Sequence, residues 1–290
     1  MDTGFKTQFA FRLIAVATVL LMLAGCSGDA NPRLDSGIGF DNLPSELSYN
    51  SGANSDGRQP NQYNNAPQML EPSAVLSLSA GTIISWEQID EARLSEYFVS
   101  IPIYDDVYNR IYGKSYIDNP YVSLDDLRYL KLLHYNFEHQ IQVGELIVSV
   151  ELDGEFLEIF LELFYKEYEI QSMFLVDDYW TGDAITTDDA SIAVNNTSAF
   201  SYRIVPESGN LSRHAFGKAI DINPRQNPYV EYYDGVPYCE DENAFPYIDR
   251  YSGNDHMISH YDDCYIVFSW YGYIWGGDWY FPLDYQHFEK

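Results

Sequence analysis

Hydrophobic positions recur along the chain in two rhythms. In DGEFLEIFLELFYKEY, Leu157, Phe160, Leu161 and Phe164 fall at three- and four-residue spacing. That spacing predicts a helix burying one stripe, with Asp153 as its cap. SHYDDCYIVFSWYGY repeats the logic: Ser259 is placed to cap, Asp262 follows three residues on, and Gly272 ends the helix. Cys264, Val267, Phe268 and Tyr271 form its expected inner face. SLDDLRYLKLLH pairs Ser123 with Asp126 as a capping signature. It predicts a third helix with Leu127, Leu130 and His134 on one side. GELIVSVEL, from Gly144, reads as a strand through Leu146, Ile147, Val148 and Val150. Alternation from Ala219 onward fits a strand carrying Asp221. Helices and strands mix without a regular βαβ rhythm, which predicts the α+β class.

Outside these segments the pattern changes. Residues 27–70 are rich in Gly, Ser, Asn, Asp and Pro, with little to bury, and read as a flexible tether. Ahead of them, Lys6 and Arg12 precede an apolar run from Leu13 to Ala24. The run is short for a membrane span and has the shape of a secretory signal. Its ending, LAGC, resembles the lipobox of bacterial lipoproteins, which implies cleavage before Cys26 and lipid on that cysteine. The alternative is an ordinary signal peptide that contains a cysteine. The expected partition is a signal over 1–25, a tether over 26–74 and one folded domain over 75–290.

The chain carries 44 acidic and 16 basic residues, a net charge of −28. That charge opposes binding to nucleic acid. Apolar residues at 46 % exceed what a disordered acidic chain would hold. Past Cys26 only Cys239 and Cys264 remain. They pair if the compartment is oxidising, or else Cys264 is a small buried thiol on its helix.

Chemistry concentrates in two places. LSRHAFGKAID holds His214 and Asp221, and small residues at 215, 217 and 219 permit close approach. The tail, WGGDWYFPLDYQHFEK, holds Asp284 and His287. Two histidines and an aspartate suit a zinc-like ion and leave a position open for water. Asp284 is then available as general base and acid. The bland alternatives are a hydrogen-bonded loop histidine and turn aspartates. Trp275 and Trp279 are candidates for the cleft wall or the core. Asn195, Asn196, Thr197 and Ser198 either shape the cleft or make a turn. His134, His139, His256 and His260 read as surface residues.

These stretches resemble the zinc D-alanyl-D-alanine carboxypeptidases of the VanY-like group and related phage peptidoglycan endopeptidases. Ser212, His214, Gly217, Ala219 and Asp221 fill the signature S-x-H-x-x-G-x-A-x-D. Asp284, three residues before His287, fills the second signature. AIDINP and the WGG before HFE add to the likeness, which extends upstream to about residue 80. The resemblance implies a small antiparallel sheet flanked by helices, the Hedgehog/DD-peptidase fold. It implies one zinc ion held by His214, Asp221 and His287, with Asp284 as acid/base. Arg203 would steady the substrate and polarise the scissile carbonyl, and Ser212 would donate to the substrate terminus. The implied substrate is the peptidoglycan stem peptide, cut as a D-alanyl-D-alanine carboxypeptidase. An endopeptidase of the L-alanyl-D-glutamate type and a non-catalytic wall-binding module are the alternatives. The implied location is the cell envelope, lipid-anchored to a membrane, with Ser27 permitting the outer membrane.

Overall fold

Two apolar runs, Leu127–Tyr135 and Ile141–Ser149, pair along their whole length and set the frame for everything else. The computed structural model describes residues 67–205 and 208–290. The expected signal, Cys26 and most of the expected tether lie outside the described residues. Leu70 already packs on the fold: its N–H donates to Gln88 O at 2.7 Å, and its carbonyl accepts from the Tyr97 hydroxyl at 2.6 Å.

The first sheet holds β1 (Ile83–Ile84), β2 (Val99–Pro102), β3 (Leu127–Tyr135) and β4 (Ile141–Ser149) in the order β1-β4-β3-β2, all antiparallel. A short helix, α1 (Asp105–Ile111), links β2 to β3. The helix expected from Ser123 onward is therefore a strand. Its capping box does form, with the Ser123 N–H and hydroxyl donating to Asp126 at 2.9 and 2.7 Å. It closes only the 3-10 turn Leu124–Asp126. Beyond it, eight of the nine residues of β3 are buried, so the run behaves as a strand covered on both faces. Leu127, Tyr129 and Ile147 join a cluster with Ile103 and Ile111. Tertiary burial here overrides a weak local preference. His134 goes with the strand. It is buried, not exposed, and burial pushes its imidazole down to about 4, so the ring is neutral.

α2 (Asp153–Tyr165) forms where the stripe predicts it and packs on β3. Its buried face is centred on Phe156, Ile159, Phe160, Leu163 and Phe164, and Leu157 lies at the margin. Asp153 is the first helical residue, not the cap, and accepts from the Ser100 hydroxyl at 2.6 Å. β5 (Ser172–Met173) runs parallel to β6 (Asn196–Thr197), with α3 (Ala184–Ala193) between them.

The C-terminal part builds two more small sheets. Their strands are β7 (Ala219–Asp221), β8 (Tyr229–Tyr233), β9 (Val236–Tyr238), β10 (Ile274–Trp275), β11 (Leu283–Asp284) and β12 (His287–Glu289). One sheet has the order β10-β12-β7 and the other β11-β8-β9, with antiparallel pairs throughout. α4 (Asp263–Trp270) precedes β10. Asp262 caps it by accepting from Cys264 N–H at 2.8 Å, in place of the expected Ser259. Gly272, at φ +83°, follows its end. Phe268 of α4 stacks on Phe288 of β12 at 4.6 Å and meets Phe156 and Phe160 of α2 edge-on. That aromatic core anchors β12. Side chains alternate along a strand, so burying Phe288 sends His287 and Glu289 to the opposite face.

The two cysteines are free and buried, so the thiol alternative holds and the disulfide does not form. Burial pushes the Cys239 thiol up to about 11. Gly217 has φ +61°, and a Cβ there would lie 2.5 Å from Ser149 N and 2.7 Å from Val148 C. Both neighbours are backbone of β4 and cannot swing away. We expect Gly217→Ala to cost at least about 2 kcal/mol, from the left-handed backbone and the clash together. Chemical denaturation checks this, and an unchanged midpoint would count against it.

Candidate metal centre

His214 lies in a 3-10 turn, Arg213–Phe216, whose cap is Ser212. The Ser212 hydroxyl oxygen accepts from His214 N–H at 3.2 Å and leaves its own proton to donate elsewhere. Gly217 reverses the chain into β7, which ends at Asp221. The register of β7 with β12 sets His287 directly opposite Asp221. Asp221 is braced from the other side, where its N–H donates to Ser198 O at 2.9 Å and its carbonyl accepts from Ser198 N–H at 3.2 Å. Asn195, Asn196, Thr197 and Ser198 are buried scaffold and not cleft wall. Asn195 Oδ1 accepts from Arg225 N–H, and Thr197 Oγ1 accepts from Asn223 N–H.

Three donor atoms converge. His214 Nε2 lies 3.2 Å from His287 Nδ1 and 3.2 Å from Asp221 Oδ2, and His287 Nδ1 lies 3.0 Å from Asp221 Oδ1. A tetrahedral ion with bonds of about 2.0–2.2 Å holds its ligands about 3.3 Å apart. The spacing fits such an ion, as do the burial and the two-nitrogen, one-oxygen donor set. The outward nitrogens are also settled. His214 Nδ1–H donates to Ala199 O at 2.5 Å, and His287 Nε2–H donates to Glu289 Oε2 at 3.3 Å. Each bond takes up the outward N–H and aims the inward nitrogen at the ion. The cluster is placed to hold one divalent ion, and its donors suit Zn2+.

Without metal, the charges compensate one another. Burial would lower the His287 pKa. Hydrogen bonds and charge from Asp221, with Glu289 and Asp284 beside them, instead raise it to about 10. Burial would raise Asp221, but the two histidines hold it well below the usual carboxylate range. Zinc must therefore displace a proton from His287. We expect zinc binding to release protons at pH 8, and the apparent affinity to fall as pH drops from 9 to 8. Calorimetry in buffers of different ionisation enthalpy reads the proton count. A pH-independent affinity would show that His287 carries no extra proton in the metal-free site.

Asp284 sits on β11 and lines a cleft of about 1020 Å3 with His214, Asp221, His287, Arg203 and Ser212. Burial pushes it up to about 7, with Asp221 and Asp188 adding and His287 and Arg203 opposing. Its Oδ1 is buried without a protein hydrogen-bond partner among the described residues. Gly276 lies under its backbone, where a Cβ would come within 2.4 Å of Asp284 O. At Gly277 a Cβ would meet the Trp275 ring at 2.4 Å. Trp275 is core, whereas Trp279 lines the cleft with its ring 5.3 Å from that of His287.

Arg203 and Ser212 are brought side by side, with Ser212 N–H donating to Arg203 O at 3.0 Å. The Arg203 guanidinium reaches Asp188 of α3 at 2.6 Å. Asp188, the Ala199 carbonyl and Glu289 are parts of the site that the sequence did not reveal. Only Glu289 had a signal, since it stands two residues from His287 on one strand. His139 and His260 are exposed as expected, and His256 is half-buried, stacked on Phe137 at 3.7 Å.

Residues 206–290 match the family model for D-alanyl-D-alanine carboxypeptidase. The match takes in His214, Asp221, Asp284 and His287, and begins beyond Arg203 and Asp188. The upstream likeness expected from about residue 80 lies outside it. No curated protein and no solved structure matches the chain. With its donor triad intact inside the matched segment, the chain carries a zinc-dependent peptidase domain, of a kind that acts on peptidoglycan.

Proposed function

We propose that the protein removes the terminal D-alanine from peptidoglycan stem peptides. The observation that carries this reading is the buried Asp284 carboxyl on the same cleft wall as the His214, Asp221 and His287 donors, all within the matched segment. Bound there, zinc supplies Lewis acidity and brings the pKa of water to about 7. Asp284, whose carboxyl burial holds above the usual carboxylate range, accepts the proton of the attacking water and returns one to the leaving amine. Arg203, held by Asp188, offers its positive charge to the carbonyl oxygen as it gains negative charge. Ser212 donates its free hydroxyl proton to the substrate end.

A second reading keeps the chemistry and moves the cut inside the stem. The cleft volume, about 1020 Å3, is at the top of the range for small-molecule sites and leaves room for chain on both sides of the cut. A mass-spectrometric digest of muropeptides, with zinc and with chelator, separates the two. Zinc-dependent loss of one alanine supports the carboxypeptidase, and an internal fragment supports the endopeptidase. No product from folded, zinc-loaded protein rejects both and favours a wall-binding module.

We further place the protein in the cell envelope, anchored through lipid on Cys26. This rests on the LAGC sequence. Among the described residues no helix is long and apolar enough to cross a membrane. Labelling with a lipid precursor should mark the wild type and spare Cys26→Ser.

A further inference from the structure

The strand beside Asp284 continues out of the cleft as an aromatic surface. β8 pairs with β11 so that Tyr229 lies opposite Asp284, and both line the cleft. Tyr233 and Asp234-Gly235-Val236 form the tip of the β8–β9 hairpin, with Asp234 at φ +52° and Gly235 at φ +80°, as a two-residue type I′ turn requires. Side chains alternate along a strand, so Tyr229, Glu231 and Tyr233 share one face. The register adds Tyr238, opposite Glu231, and Val236, opposite Tyr233. Tyr233 and Tyr238 meet edge-on at 5.8 Å. Tyr233 is 60 %, Val236 65 % and Tyr238 45 % exposed. One sheet face thus runs from the catalytic cleft, past the Glu231 carboxylate that accepts from the Tyr233 hydroxyl, to an exposed pair of tyrosine rings.

The surroundings narrow the occupant. β9 is the edge strand, but Pro237 in its middle lacks the N–H that a docking strand needs. A net charge of −28 opposes a second copy and any anionic polymer. An uncharged ligand with flat apolar faces and peripheral hydroxyls suits exposed tyrosines, which offer a ring face and a polar tip. Distance adds to this. Four residues of strand carry Tyr233 about 13 Å from Tyr229. An extended peptide of about four residues spans the same length, and a stem peptide of that size joins the cleft to its sugar.

We propose that this face, centred on Tyr233 and Tyr238, is a glycan platform that binds the sugar backbone while the attached stem peptide lies in the cleft. The proposal rests on the peptidoglycan reading above and specifies its substrate as glycan-bound stems in preference to free peptide. Two measurements on the zinc-loaded chain test it. The first is cosedimentation with insoluble chitin, an uncharged N-acetylglucosamine polymer that carries no peptide. The second is kcat/KM on a disaccharide-bearing stem relative to the same free peptide. Tyr233→Ala/Tyr238→Ala should weaken glycan binding about tenfold and lower the kcat/KM ratio by the same factor, and Tyr233→Phe/Tyr238→Phe should restore both. Unchanged glycan binding in the Ala variant overturns the proposal. So does an equal loss on both substrates, which would mean a disturbed Asp284 strand. A dimer that the Ala variant dissociates, with glycan binding intact, would reassign the face to self-association. If neither substrate is cut, the proposed reaction fails, and cosedimentation alone still decides the platform.

Discussion

Asp284→Asn is expected to lower kcat by about 10²–10⁴-fold while zinc content stays at one per chain. The substitution keeps the shape of the side chain and removes its capacity to take and return a proton. Asp284 is not among the three converging donors, so metal binding should survive. Stability supplies the control. Burial raises the folded-state pKa of Asp284 to about 7, well above the carboxylate value of an unfolded chain. The folded state therefore prefers the protonated acid. The contribution of this residue is most favourable below the unfolded pKa and is lost as pH rises through about 7. Asparagine carries no such cost, so the variant should melt no lower than the wild type at pH 8. A variant that is inactive, zinc-loaded and equally stable isolates the proton-transfer role. Near-normal turnover with zinc in place would remove Asp284 from the mechanism.

His214→Ala is expected to abolish activity and stoichiometric zinc together. Loss of one of three ligands should weaken zinc binding by about 10²-fold or more, judged from binding energies of about 10–16 kcal/mol over four ligands. The change also strips Asp221 of one of its two cationic or hydrogen-bonding partners in a fully buried setting. Breaking a buried pair in this way typically costs about 3–5 kcal/mol. His287 still faces Asp221 at 3.0 Å and limits the damage. Metal analysis after dialysis, read beside a thermal melt, separates ligand loss from unfolding. Retention of one zinc per chain would show that the ion sits elsewhere.

Legibility in the sequence followed the physics of each segment. α2 was readable because one face is apolar and the other is wet, and α4 because Cys264, Val267 and Phe268 recur at helical spacing ahead of Gly272, although its exposed side also carries Ile266 and Trp270. β3 was not, because burial on both faces erases the alternation that marks a strand. The leucines at 127 and 130, with a genuine capping box before them, imitate a helix start. His134 was misplaced for the same reason. The strand bearing Asp221 was readable from small and apolar alternation. The meeting of His287 with Asp221 was not, since register across 66 residues leaves no local trace. Resemblance to a known signature supplied that pairing, and the sheet supplies its cause. Asp188 was invisible because nothing in TTDDAS separates an aspartate that holds an arginine from one on a solvated helix.

Gly276 and Gly277 carry no chemistry, yet each is closed to any side chain by a different neighbour. The first lies against the backbone of Asp284 and the second against the ring of Trp275. A lineage could trade Trp279 or the exposed tyrosines in single steps. It could not replace Gly276 without first moving the strand that holds the acid/base. A saturation library scored for wall-peptide cleavage should therefore find Gly276 as intolerant as His287, with the surrounding WGGDWY loop far more permissive at Asp278 and Tyr280.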